Sequence, residues 1–413
     1  MMTLQPERTV AELRDLRELT ATVDGAQRIC WTDTWAQSRS WLHDKLTELP
    51  VEVETDEAGN LWATLRGESE RAVVIGGHMD SVPDGGWLDG CLDTLAGLES
   101  LRRIAAEGTP PVTVRLVDWA DEEGARFGRS LLGSSACSGT LDVDEVRGLT
   151  DRSGATLPDA LREHGVDLDR MKDCSLQLDS AAAYLELHIE QGPVLERLDL
   201  PLGAVLGTFG VERHLIRFKG QAAHSGSTPM DDRRDAFAGA ARLSLEVHQH
   251  TRRTGQGAVS TTGSVVVKPG IVTAVAGVCE MTLDQRHLKV DVLAGELAFA
   301  KEAASRIAAD ERLEVEWEEL WSIAPIPFDE RLVELADEAI VEIAGASHRL
   351  PSGPLHDAAE VARADVPTVM LFAQSLRGLS HTKEEDTKPE HIELSVMALD
   401  RLASKTIDLV AAL

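Results

Sequence analysis

Between residues 78 and 89 the chain carries an imidazole and three carboxylates, His78, Asp80, Asp84 and Asp89, within the stretch VVIGGHMDSVPDGGWLDG. Imidazole and carboxylate together hold borderline divalent cations such as zinc, manganese, cobalt or nickel. The lack of thiolate argues against a structural zinc site. Three more places offer the same chemistry: Glu122 and Glu123 in WADEEGARFG, His188 in ELHIEQG, and His381 in GLSHTKEEDT. Singly, each has an ordinary explanation. A lone histidine can be a hydrogen-bonded core residue, and DEEGAR can open a helix whose dipole favours acids. Collectively they would suit two divalent ions about 3.5–4 Å apart, sharing one carboxylate. Asp80, two residues from His78, could accept the other imidazole N–H and fix the tautomer.

Such a constellation needs elements that converge. The runs RAVVIGG, VTVRLVDWA, AAYLELHIEQ and VPTVMLFAQS are β-branched or apolar nearly throughout, as strands covered on both faces are. Helical stretches such as TLAGLESLRRIAAEG lie between them, giving the rhythm of a mostly parallel α/β sheet with helices on both faces. His78, the Glu122–Glu123 pair, His188 and His381 each fall at or just past the carboxyl end of one of these strands, where such sheets bind ligands. The Gly- and Pro-containing turn VPDGGWLDG brings Asp89 back to the same edge.

Residues 208–322 change character to β-α-β-β-α-β, the split βαβ unit. We therefore expect a catalytic domain in two parts, 1–207 and 323–413, interrupted by a smaller inserted domain over 208–322.

Composition narrows the function classes. The 413 residues contain 41 Lys+Arg against 70 Asp+Glu, a formal net charge of −29. That excess repels phosphate backbones and anionic membranes, so neither nucleic acid nor a membrane is an expected partner. An anionic substrate would need local positive charge. Five scattered cysteines, an odd number with no CxxC, suit reduced thiols in the cytoplasm. Val10, Leu13, Leu16 and Leu19 are spaced as one face of an amphipathic helix rather than as a signal peptide.

Seven segments resemble the dinuclear-metal amidohydrolases that include N-carbamoyl-L-amino acid hydrolases, β-ureidopropionases and allantoate amidohydrolases. They are GGHMDSVPDGGWLDG, WADEEGARFGRSLLGS, ELHIEQGPVLE, GQAAHSGSTPMDDRRDA, TLDQRH, SGPLHDA and GLSHTKEEDT, in family order. The eleven-residue step from His78 to Asp89 resembles this amidase branch rather than its peptidase relatives.

The resemblance implies a zinc-aminopeptidase-like α/β fold with two divalent ions per subunit, Zn2+ or Mn2+, with Co2+ or Ni2+ as alternatives. His78 and His188 would each hold one side of the pair, Asp89 would bridge, and Glu123 and His381 would complete the second ion. Glu122 would be the general base, His224 the oxyanion stabiliser, and Arg286 the clamp for a substrate carboxylate. Gln191, Gly353 and His356 would contact substrate. The inserted domain would serve as lid and dimerisation surface of a homodimer. The substrate would be a small ureido carboxylate such as an N-carbamoyl-L-amino acid, cleaved by a metal-bridging hydroxide. Allantoate or ureidoglycolate is the alternative, and an N-acyl amino acid or dipeptide a more distant one. In one place the chain departs from the family, with Thr273 standing where an asparagine is usual.

Overall fold

The computed structural model describes residues 3–255 and 257–413, and the chain divides into two compact units. The first comprises the residues up to Gly207 together with Phe328–Leu413; the second is Thr208–Pro327.

In the first unit, β1 (Glu52–Thr55) and β2 (Leu61–Leu65) precede β3 (Ala72–His78), α1 (Cys91–Glu107) and β4 (Thr113–Trp119). Short helices follow, among them α2 (Leu132–Ser138), before β5 (Ala181–Ile189) and β6 (Leu202–Thr208). These short helices carry too few turns to leave a periodic pattern in the sequence, which is why the strand-and-helix rhythm is not legible between residues 120 and 180.

The second unit contains β7 (Gly210–Lys219), α3 (Ala236–Thr254), β8 (Val259–Thr261), β9 (Val265–Lys268), β10 (Val278–His287), α4 (Val290–Glu311) and β11 (Glu314–Ile323). Its sheet is antiparallel, with β10 beside β7 and β11 on the other side of β7. Both β8 and β9 pair with β10, so the second strand of the motif is broken into two pieces. Alternation along β10 is strict: Cys279, Met281, Leu283, Gln285 and His287 are buried, and the residues between them are not. This unit has its own core around Ile216, Phe218, Leu243, Met281 and Ile307.

The chain then returns to the first unit through α5 (Asp357–Arg363), β12 (Thr368–Ala373) and α6 (Pro389–Ala411). Strands β12, β5, β3 and β4 are parallel neighbours in that order. Antiparallel strands flank them, β6 beside β12 and the β2–β1 pair beside β4. Every residue of β3, β4 and β12 is buried, as largely apolar runs covered on both faces require; the exceptions in β4, Arg115 and Asp118, are buried too. Helices α1 and α6 pack on this sheet. Among the described residues no helix is long and apolar enough to cross a membrane.

Candidate metal centre

The four parallel strands end at one edge, and the site is assembled there. His78 is the last residue of β3, and His188 lies one residue before the end of β5. Glu122 and Glu123 follow β4, Asp89 precedes α1, and His381 lies in the loop after β12. Two features fold the Asp89 loop tightly. Gly90 has φ +66°, and a Cβ there would lie 2.4 Å from the His78 ring. At Gly86 a Cβ would meet the Glu385 carboxyl at 2.0 Å, so the loop accepts no side chain there.

Two groups of potential ligands result, each with its donor atoms within 4.8 Å of one another: His78, Asp89 and His188, and Asp89, Glu123 and His381. Asp89 belongs to both. Its Oδ1 is 3.0 Å from His188 Nε2 and 3.6 Å from His78 Nε2, while its Oδ2 is 3.5 Å from His381 Nε2. Glu123 Oε2 lies 3.3 Å from His381 Nε2. Glu122 is buried outside both groups, with Oε2 3.8 Å from His78 Nε2.

Backbone carbonyls set the tautomers. His188 Nδ1 is 2.9 Å from the Ile189 carbonyl oxygen, and His78 Nδ1 is 3.1 Å from that of Asp80. Both rings then donate through Nδ1 and turn the Nε2 lone pair into the site. The Asp80 carboxylate is slightly farther from His78 Nδ1, at 3.4 Å. It also accepts from the backbone N–H groups of Glu122 (3.3 Å) and Glu123 (3.2 Å), so it positions the acidic loop as well as the ring.

Burial and crowded carboxylates dominate the electrostatics of the site. Burial pushes the Glu122 and Glu123 carboxyls well above the usual range, and neighbouring carboxylates push further. Burial works against ionisation of Asp89 and of His78. Even so, His188, His78 and His381 hold Asp89 well below its usual value, and Glu122, Asp80 and Asp89 raise His78 well above its own. His78 Nε2 and Glu123 Oε1 are buried without a hydrogen-bond partner. Orphaned donor atoms of N and O type, converging with excess negative charge, fit divalent cations.

Two residues that the sequence reading did not single out, Ser380 and Glu385, brace the shared ligand. Ser380 Oγ donates to Asp89 Oδ2 at 2.8 Å, and Glu385 Oε1 accepts from the Leu88 and Asp89 N–H groups at 3.0 Å each. Burial, then Asp89, pushes the Glu385 carboxyl up to about 7. Both residues lie within GLSHTKEEDT, but only the folded loop shows what they hold.

Of the expected substrate contacts in this unit, Gln191 is at the centre. Its Nε2 donates to Asp89 Oδ2 at 2.8 Å, and its Oε1 is buried without a partner. His356 is different. It is buried with its ring 4.4 Å from that of His188 and Nε2 2.9 Å from Ser352 Oγ. In this position it packs behind the His188 ring. Gly353 lies in the turn after Arg349–Ser352, where a Cβ would meet nothing within 4 Å.

The remaining three lie in the second unit. His224 pairs with Ala274, and the Ser225 N–H donates to the Thr273 carbonyl, so His224 and Thr273 occupy neighbouring segments. The Gly226 N–H donates to His224 Nδ1 at 3.1 Å, which places the ring proton on Nε2. Arg286 already has an anion: its Nε donates to Asp284 Oδ1 at 2.8 Å, and Asp284 also pairs with Arg213. A carboxylate bound by Arg286 would share the guanidinium with Asp284.

A mostly parallel α/β sheet thus gathers imidazoles and carboxylates at its carboxyl edge in groups that could hold metal ions, as metal-dependent hydrolases do. The chain belongs to peptidase family M20/M25/M40, whose sequence pattern matches residues 74–405. It is 34% identical over 388 residues to an N-carbamoyl-L-amino acid amidohydrolase of Geobacillus stearothermophilus, covering 92% of this chain and 94% of that one. It is 29% identical over 394 residues to an allantoate amidohydrolase of Bacillus subtilis, covering 94% and 95%. Among solved structures, a hydantoinase/carbamoylase-family amidase of Burkholderia multivorans is similar, with a TM-score of 0.87 and 31% identity over 97% of this chain and 98% of that one.

Proposed function

We propose that the protein hydrolyses the carbamoyl (ureido) C–N bond of an N-carbamoyl-L-amino acid or a similar small ureido carboxylate. The observation that carries this reading is the shared Asp89 between two ligand groups, with Glu122 buried beside them and belonging to neither. His78, Asp89 and His188 would hold one divalent ion, and Asp89, Glu123 and His381 a second. Zinc and manganese suit the donors best, with cobalt or nickel as alternatives. Bound there, such ions supply an acidified water and polarise a carbonyl oxygen.

The chain's own residues then act on protons and charge. Glu122 takes the proton of the attacking water and returns it to the leaving nitrogen, help typically worth about 10²–10⁴-fold. Asp80 aims the Glu122 and Glu123 backbone, so base and ligand stay in fixed relation. The partnerless Gln191 Oε1 is suited to accept a ureido N–H, a group that an ester or plain carboxylate lacks. His224, protonated at Nε2, would donate to the developing oxyanion, and Arg286 would bind the substrate carboxylate beside Asp284. The products are an amino acid, carbon dioxide and ammonia. Thr273 offers one hydroxyl where an asparagine would offer an amide, which alters recognition of the rest of the substrate.

The second unit would act as lid and dimerisation domain of a cytoplasmic homodimer. Allantoate or ureidoglycolate is the second reading, favoured by the allantoate amidohydrolase relative.

The test is ammonia release by zinc- or manganese-loaded protein, with metal content measured in parallel. The panel would hold N-carbamoyl-L-amino acids, β-ureidopropionate, allantoate, ureidoglycolate and N-acetyl amino acids. Turnover of an N-carbamoyl compound at least tenfold above the others supports the reading. Preference for allantoate selects the second, and silence with metal bound rejects both.

A further inference from the structure

Away from this site, two cysteines face each other in the core of the first unit. Cys137 sits in α2 and Cys174 in the 3₁₀ segment Leu168–Leu178, both buried, with their Sγ atoms 2.9 Å apart. Together with Asp56 they form a third group of potential metal ligands. The Asp56 carboxylate is already saturated, however. It accepts from the Ala58 and Asn60 N–H groups, from Asn60 Nδ2 and from Trp62 Nε1, all at 2.8–2.9 Å. Two thiolates on a tetrahedral zinc would also stand farther apart, about 3.8 Å for Zn–S bonds near 2.3 Å. The sulfurs are too close for co-ligands, and an approach of under 1 Å separates them from a bond of about 2.05 Å.

We propose that Cys137 and Cys174 form a reversible intramolecular disulfide, with hydrogen peroxide as oxidant. The first thiol is converted to a sulfenic acid with release of one water. The second thiol then attacks that sulfur, expelling the second water and forming the S–S bond. Peroxide thus gains the two electrons that the two thiols lose. Burial pushes the Cys137 thiol well above its usual range, which makes the reaction slow and favours a small oxidant over a bulky disulfide.

The bond would clamp the helix that begins on the Glu122 loop. The Leu131 N–H donates to the Glu122 carbonyl at 2.7 Å and the Gly133 N–H to that of Ala120 at 2.9 Å. Asn60 joins the two places, accepting from the Ala120 N–H and donating to Asp56 and to Cys137 Sγ.

The experiment treats the full-length, metal-loaded protein with peroxide, then alkylates it under denaturing conditions and maps its peptides. A Cys137–Cys174 cross-linked peptide is expected, with the thiol titre falling by two and returning after reduction. The melting temperature should rise by about 5 °C in the oxidised form. Cys137→Ser and Cys174→Ser should each abolish both effects. If both thiols stay alkylatable while the peroxide is consumed elsewhere, or proceed to sulfinic acids without a cross-link, the proposal fails. A further equivalent of zinc that is lost in Cys137→Ser would overturn it in favour of a metal site. Peptide mapping and thiol titration of the wild-type protein decide the cross-link itself, so that outcome does not depend on the variants folding.

Discussion

The two ligand groups share Asp89 but are built differently. In one, His78 and His188 stand on strand ends with side chains only 2% exposed. In the other, Glu123 and His381 come from loops, and the His381 side chain is 51% exposed with its backbone at φ +56°. A strand end inherits the rigidity of the sheet, whereas a loop residue depends on the few bonds that tie its loop down, here Asp80 to the Glu123 N–H and Ser380 and Glu385 to the Asp89 loop. The same donor chemistry therefore gives one enclosed place for a cation and one open to solvent.

The largest effect should come from removing what the two groups share. Asp89→Asn should lower kcat/KM on the order of 10⁴-fold and reduce metal content at both places, read by elemental analysis. Loss of one equivalent alone would mean that Asp89 does not bridge. Glu122→Gln should lower kcat about 10²–10⁴-fold with metal content unchanged, and an active variant would remove Glu122 from the role of base.

The contrast itself is tested by dialysis against a chelator, which should release two equivalents in two phases. His381→Asn should lack the fast phase, and His188→Asn the slow one. Release of both in a single phase would erase the distinction. Ser380→Ala removes one hydrogen bond to Asp89 and should weaken metal affinity about 10–100-fold, measured by competition with a chromophoric chelator.

The smallest effect lies away from the site, in the frame that carries it. Glu12 accepts from both Arg102 nitrogens at 2.9 Å and pairs with Lys45 at 3.0 Å; these partners outweigh burial and lower its pKa. A carboxyl lowered in the folded state contributes stability above its usual value of 4.5 and loses it as pH falls through the lowered one. Wild-type protein should therefore lose stability on acidification below about pH 4.5 more steeply than Glu12→Gln, as followed by denaturant melts. Identical pH slopes would remove Glu12 from this account.

Much of this molecule was legible in its sequence, for reasons that particular residues make plain. The runs ending at His78 and His188 are apolar nearly throughout, so the ends of β3 and β5 follow from period and composition. Adjacent Glu122 and Glu123 diverge, Glu123 into a ligand group and Glu122 outside both. The alternation along β10 likewise separates Arg286 from buried His287. Other features depend on contacts between residues distant in the chain. Glu385 supports Asp89 from nearly 300 residues away, His356 packs behind His188, and Arg213 reaches Asp284 across 71 residues. A periodic pattern reports only which face of an element is buried, not what that face meets.

The sequence by itself determined the class of fold, the strands that must end together, and the kinds of donor they carry, because burial pattern and residue type are local properties. Tertiary structure alone decided which ligand stays open to solvent, that Ser380 and Glu385 brace Asp89, and that Cys137 meets Cys174 across 37 residues. Those depend on how loops close over the sheet edge, and loop closure is settled by the packing of the whole unit.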